Sequence, residues 1–222
     1  MLWRVLLFIS LTSNLFTEIS REELLGKINP KKHPDFVEFE SYGRVFWIRK
    51  EVALRLKEMI NEARKCDVEL RIVSAFRSYS TQKYIWERKV NSFSKKMGKK
   101  NIIKEVLNYS AMPGTSRHHW GTDIDFVSVN PSFFDTPHGI KIFLWLSNNA
   151  PKFGFFMPYS PDRKNKNGYK DEKWHWSYKP IATKFLSSYT NLVSYKDLSD
   201  FSGCEFAEEL NIFSDYVLNI SE

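Results

Sequence analysis

Two histidines and two aspartates stand within the thirteen residues GTSRHHWGTDIDF, 114–126, and another histidine lies about fifty residues downstream in GYKDEKWHWSY, 168–178. Imidazole nitrogens and carboxylate oxygens are ligand atoms for zinc. The alternation in TDIDF reads as a strand with Asp123 and Asp125 on one face and Ile124 and Phe126 on the other. Two carboxylates beside a core repel and lose hydration, so at least one needs a cation or hydrogen-bond donors. His118 lies seven residues before Asp125, a spacing that a straight strand sends to the opposite face. The chain must therefore bend between them, and Gly121 supplies the pliable point.

In EKWHWSY, a strand over 173–178 puts Trp174, Trp176 and Tyr178 on one face and His175 on the other. Bulky neighbours of that kind hold an imidazole rigidly, as a metal site requires. Glu172, three residues earlier, falls near such an ion without ligating it, where it could take a proton from a water that zinc acidifies to a pKa of about 7. His118, Asp125 and His175 around an open fourth position, with Glu172 beside them, describe a hydrolytic zinc site. Spacing alone leaves open that these are scattered, unrelated side chains. His33, in a Pro/Lys-rich loop, and His138, ahead of a helical segment, read as solvent-facing or capping residues.

The elements that must position these groups follow from periodicity. IRKEVALRLKEMINEARK spaces Val52, Leu56, Met59, Ile60 and Ala63 as the buried stripe of a helix. VELRIVSAF alternates like a strand, with either Val68, Leu70 and Ile72 or the reverse face as its inward set. A second helix is expected from Thr81 to about Met97 with Tyr84, Ile85 and Val90 inward, then a short one over 101–109. After a turn at Met112-Pro113-Gly114 and the strand at TDIDF come a helix at GIKIFLWLSNNA, extended FGFFM, a polar loop over 158–171, and a helix opened by Pro180 that carries Ile181, Phe185 and Leu186. Helices and strands mix without a β-α-β rhythm, which predicts an α+β fold with an antiparallel central sheet, flanking helices and the zinc site in a cleft on the sheet.

At 222 residues, 42% hydrophobic and 16% aromatic, the chain can bury one sizeable core. The net charge of +7 is unevenly placed. Residues 196–222 hold one Lys against seven acids, so that tail carries −6 and the remainder +13. A basic body suits polyanionic surroundings such as a cell wall, and no nucleic-acid motif accompanies it. The lysines at 95–100 read either as such a contact or as a solvated helix end. Phe206, Leu210, Phe213 and Val217 give the tail the spacing of an amphipathic helix, to be packed on the body or offered to a partner. Residues 1–20 have the anatomy of a signal peptide, one early positive charge and a short apolar run, or of a retained N-terminal anchor that would associate with a membrane peripherally. Cys66 and Cys204 lack metal-ligand spacing and read as a bridge or as two unpaired thiols.

Four blocks resemble the VanY-type D-alanyl-D-alanine carboxypeptidases, part of a wider zinc peptidase group that includes lysostaphin-like enzymes and the hedgehog domain. They are SAFRSYSTQ at 74–82, PGTSRHHWGTDIDF at 113–126, FGFFMPYSP with GYKDEKWHW between 153 and 176, and the helix before Cys66; the likeness covers about residues 33–190. It implies a zinc peptidase domain over 21–195, with His118, Asp125 and His175 as zinc ligands and Glu172 as catalytic base. It further implies that Arg77 steadies the polarised carbonyl, that Gln82, Ser116 and Trp174 contact the substrate, and that His119 and Asp123 are neighbours of the ligands. Two residues depart from the frequent E-P-W-H-W-R-Y pattern: Lys173 stands for Pro and Ser177 for Arg, a lost cation that would bear on which peptide terminus is preferred. The activity implied is removal of the terminal D-alanine from peptidoglycan stem peptides by an exported, monomeric enzyme of the periplasm or cell envelope. The alternatives are L,D-carboxypeptidase or endopeptidase action on the same stems, or a noncatalytic domain that binds peptidoglycan or signals.

Overall fold

A computed structural model describes residues 18–94, 96–163 and 167–221. Residues 1–17 of the expected leader, and Lys95, lie outside the described residues.

Ser20 and Glu23 cap the short helix α1 (Arg21–Leu24) reciprocally, each side chain accepting from the other's backbone N–H. β1 (Phe36–Ser41) and β2 (Arg44–Arg49) form a hairpin closed by Tyr42 and Gly43, both at positive φ (51° and 73°), the two-residue turn whose twist matches antiparallel strands. α2 (Lys50–Arg64) follows at once and buries the predicted stripe of Val52, Leu56, Met59, Ile60 and Ala63. Val68, Leu70 and Ile72 are likewise buried, although only Ile72–Ser74 forms a strand, β3.

The next helix departs from expectation. α3 spans Tyr79–Asn91, because the Ser78 side chain accepts from the Thr81 N–H and caps it two residues early, and a separate helix, α4 (Lys99–Leu107), resumes after Gly98. The buried face of α3 is Tyr79, Gln82 and Trp86; Tyr84 is 69% exposed, and Ile85 and Val90 are half-buried. An exposed aromatic and a buried glutamine reversed the phase of the stripe.

β4 (Asp123–Phe126), α5 (Pro137–Asn149), β5 (Phe155–Phe156), β6 (His175–Tyr178) and α6 (Lys179–Leu192) complete the frame. The sheet is antiparallel throughout, in the order β3-β4-β6-β5, so the fold is α+β. Its main core lies between α2, α5 and the sheet face that carries Ile124, Phe126, Trp176 and Tyr178. A second core joins α3 and α4 to the C-terminal segment through Trp86, Ile103, Leu107 and Ile212.

That segment is not one helix. It runs as a 3₁₀ turn at Cys204–Phe206, further turns, a left-handed residue at Asn211 (φ 49°) and a π-helical turn at Ile212–Val217. Phe206, Leu210 and Phe213 pack half-buried on the second core, while Glu205 and Glu209 pair with Lys99 and Lys100 at the start of α4. The lysine run thus meets the tail of its own chain. Cys66 is exposed and Cys204 half-buried, and both are free thiols.

Arg49, at the end of β2, ties α1 to the turn that precedes β4. Its side chain is 5% exposed, donates to Glu23 Oε1 at 2.8 Å and to the Trp120 carbonyl at 2.6 Å, and lies over the Phe36 and Phe185 rings. Arg49→Met leaves Glu23 buried without that partner and is expected to cost about 3 kcal/mol in urea unfolding, the usual penalty for breaking a buried pair from one side. Arg55→Ala, which removes an exposed pair with Glu58, is expected to leave the midpoint in place.

Candidate metal centre and active site

The register of β4 on β6 sets Asp125 directly opposite His175, and Asp123 opposite Ser177. Strand alternation then turns Ile124 and Trp176 into the core and leaves both aspartates and His175 on the other face. His118 joins them from a 3₁₀ turn, Arg117–Trp120, that ends at Gly121 with φ 71°. A Cβ at Gly121 would meet the Phe36 ring at 2.5 Å, so the bend needs glycine for space as well as for conformation. The offered ligand atoms of His118, Asp125 and His175 lie within 4.8 Å of one another, and all three residues are buried.

The His118 Nδ1–H donates to the Ala75 carbonyl at 2.8 Å, which leaves Nε2 with a lone pair, buried, without a hydrogen-bond partner, and 3.2 Å from Asp125 Oδ2. Burial, reinforced by Arg77, pushes this imidazole below its usual pKa and keeps it neutral. His175 presents Nδ1 to Asp125 Oδ1 at 3.0 Å and Nε2 to Asp123 Oδ1 at 2.9 Å. Burial alone would lower it, but hydrogen bonds to the two aspartates and their charges outweigh that and raise it to about 9. Burial would likewise raise Asp125; His118 and His175 instead hold it well below the usual carboxylate range. Carboxylate charge that stabilises a proton on an imidazole equally stabilises a divalent ion in its place. Two imidazole nitrogens and a carboxylate, one nitrogen orphaned, with a cleft on the remaining side, fit zinc with an open position.

Glu172 stands at the edge of this group, its Oε2 3.7 Å from His175 Nδ1 and its backbone N–H bonded to the Tyr159 carbonyl. Burial raises its carboxyl to about 7, with His175 opposing and Asp125 adding to the shift. It and the three ligand candidates line a cleft of about 350 Å³ together with Arg77, Ser116 and Trp174. Trp174 precedes β6 and packs against Tyr109 and Phe134, so it does not share the core face of Trp176 as the alternation suggested.

Arg77 is pinned at its backbone, where its N–H donates to the His118 carbonyl and its carbonyl accepts from His119 Nδ1. His119 Nε2 accepts from the Gly114 N–H, and burial pushes its pKa to about 3, so it serves as a neutral strut. The Arg77 guanidinium sends Nη1 to Gln82 Oε1 at 2.8 Å and places Nη2 3.9 Å from Asp125 Oδ2. Gln82, for which the resemblance implies substrate contact, is the partner of that Nη1 group. It is fully buried, donates to the Ala111 carbonyl at 2.7 Å, and is not among the cleft-lining side chains, so it orients Arg77.

Sequence reasoning passed over three groups here. Tyr159 lies with its ring 4.9 Å from His175 and Tyr169 stacks edge-on against it. Lys89, on the α3 wall, faces the same cleft as Arg77 and Glu172 and is pushed below its usual pKa by burial. Arg117, fully buried, bonds Asp123 and Ser177. The tyrosines sit inside quoted blocks, FGFFMPYSP and GYKDE, where an aromatic next to a candidate base was the available signal. The Arg117 guanidinium reaches Ser177, the position where the frequent family pattern has Arg.

Comparison with known proteins identifies a family and several relatives. The family model described as VanY, D-alanyl-D-alanine carboxypeptidase, matches residues 46–181, more than half of the chain. A D-alanyl-D-alanine carboxypeptidase of Enterococcus faecalis is 29% identical over 164 residues, covering 72% of this chain and 60% of that one. The Bacillus subtilis protein YodJ is 33% identical over 146 residues, 63% of this chain and 49% of its own. The chain thus spans about half to three fifths of the length of these two relatives. Among solved structures, a mutant of the D,D-pentapeptidase VanY in complex with Zn(II) superposes with a TM-score of 0.55 at 27% identity, over 68% of this chain and 84% of that one. The LD-carboxypeptidase LdcB gives 0.54 at 28% identity, over 79% and 82%.

Proposed function

Since the chain belongs to the VanY D-alanyl-D-alanine carboxypeptidase family, we propose that it is a zinc-dependent carboxypeptidase that removes the terminal D-alanine from peptidoglycan stem peptides. The observation that carries this reading is the meeting of His118, Asp125 and His175 on one buried face with Glu172 and Arg77 at its open side.

His118, Asp125 and His175 would hold the ion. Bound zinc supplies Lewis acidity toward the peptide carbonyl and lowers the pKa of water. Glu172, poised near neutrality by burial, takes a proton from the attacking water and returns it to the departing amine. Arg77 donates to the carbonyl oxygen as charge develops there. Ser116 and Lys89 lie along the same cleft, where a hydroxyl and an ammonium suit the free carboxylate of the leaving residue. Trp174 and Tyr159 offer apolar walls to the peptide.

The likeness to LdcB supports a second reading, cleavage of the L,D bond one residue further in. One experiment separates the two: mass spectrometry of muropeptides incubated with the purified protein, with and without a zinc chelator. The expected result is pentapeptide stems shortened to tetrapeptides, abolished by chelation and restored by zinc. Tetrapeptides shortened to tripeptides would favour the second reading, and activity indifferent to chelation would sink both. Such a substrate places the protein in the periplasm or cell envelope, with the leader providing export or peripheral attachment to the membrane, and the protein working as a monomer. Among the described residues no helix is long and apolar enough to cross a membrane.

A further inference from the structure

Beside the metal ligands lies a buried ion pair. Arg117 is 1% exposed and Asp123 fully buried, with Nε 3.0 Å from Asp123 Oδ1. The guanidinium also donates from Nη2 to Ser177 Oγ at 2.7 Å and lies over the Trp120 ring at 4.6 Å. Asp123 has both oxygens engaged: Oδ1 takes Arg117 and faces His175 Nε2 at 2.9 Å, and Oδ2 accepts from the Thr122 hydroxyl. The carboxylate is thus fixed in rotation by three side chains, those of Arg117, Thr122 and His175.

An ionised carboxylate can only accept. Both His175 nitrogens face such oxygens, Nε2 that of Asp123 and Nδ1 that of Asp125; an ion shared with His118 and Asp125 would take the place of the Nδ1 proton and leave Nε2–H on Asp123. We propose that Arg117 and Asp123 are positioning residues that hold His175 in the Nε2–H tautomer, so that Nδ1 is the zinc ligand. Arg117 holds the Asp123 carboxylate in place, and the small side chain of Ser177, paired across the ladder from Asp123, leaves room for the guanidinium. A buried pair is a costly way to stabilise a fold, since apolar residues of similar volume commonly do as well. Its placement one bond from a metal ligand gives it a different use, because partners behind the ligands set affinity for the ion.

This inference rests on the zinc site but not on any substrate, so it is tested without turnover. Long-range ¹H–¹⁵N NMR of the zinc-loaded wild type is expected to show His175 protonated at Nε2 and metallated at Nδ1. The opposite assignment overturns the proposal while leaving the zinc site intact; wild type that takes up no zinc overturns both. Arg117→Met and Asp123→Asn each leave one charge buried alone and are expected to lower the thermal midpoint. The double variant carries no buried charge there and is expected to recover the midpoint. Competition with a chelator is nonetheless expected to find zinc bound about 10- to 100-fold more weakly by the double variant, the range for partners of metal ligands. Recovery of wild-type zinc affinity together with stability would mean that the pair serves packing alone, and the proposal fails.

Discussion

Replacing Glu172 by alanine or glutamine is expected to lower turnover of a pentapeptide stem by about 10²- to 10⁴-fold, the share that general acid–base catalysis supplies. The zinc affinity of either variant should stay within a few-fold of wild type. The separation follows from position. Glu172 is 3.7 Å from His175 Nδ1, outside the set of ligand atoms that converge, yet it lines the open side of the cleft. Its burial raises the carboxyl to about 7, where it exchanges a proton readily near neutral pH. The same burial destabilises the folded protein, because a carboxylate is held where desolvation outweighs the attraction of His175. Glu172→Gln should therefore fold at least as well as wild type while losing activity, an opposition that a structural role would not produce. D-alanine release together with chelator competition reads both quantities. A glutamine variant with wild-type turnover removes Glu172 from the mechanism and returns weight to a domain that keeps zinc for stability and binding.

The ligands were legible because few side chains can do their chemistry and because strand alternation fixes facing. Only five histidines exist, and the alternation of TDIDF and KWHWSY already separates their polar face from the core. The register that joins Asp125 to His175 was not legible, since nothing local in β4 or β6 chooses one alignment over a neighbouring one. What depends on that register was correspondingly lost. Arg117 carries no signal of its own in the sequence, and only the closure of β4 on β6 makes Asp123 and Ser177 its partners. Gln82 matched a motif position, but its task depends on the phase of α3, which the exposed Tyr84 and the buried Trp86 reversed. The tail kept the spacing of a helix without being one, because Asn211 turns left-handed and its charged residues answer to Lys99 and Lys100 on another element.

Arg77→Met is expected to reduce kcat by about 10²- to 10³-fold with little change in KM, the cost of removing one donor from a developing oxyanion. The guanidinium is positioned for this by three separate constraints. Its backbone is clamped between the His118 carbonyl and His119, one edge is held by Gln82, and the other reaches to 3.9 Å from Asp125. Nε is buried and makes no hydrogen bond among the described residues. Lysine would not replace it, because an ammonium cannot satisfy Gln82 and the reacting oxygen with one planar fork. Arg77→Lys should therefore fall close to Arg77→Met. Gln82→Ala, which only loosens the fork, should lose about tenfold in kcat, in line with the sensitivity of rates to small misplacements of a catalytic group. A different outcome would reassign the residue: if Arg77→Met raises KM and spares kcat, the guanidinium binds the terminal carboxylate in the ground state. Stabilisation of the carbonyl oxygen would then have to come from elsewhere in the cleft.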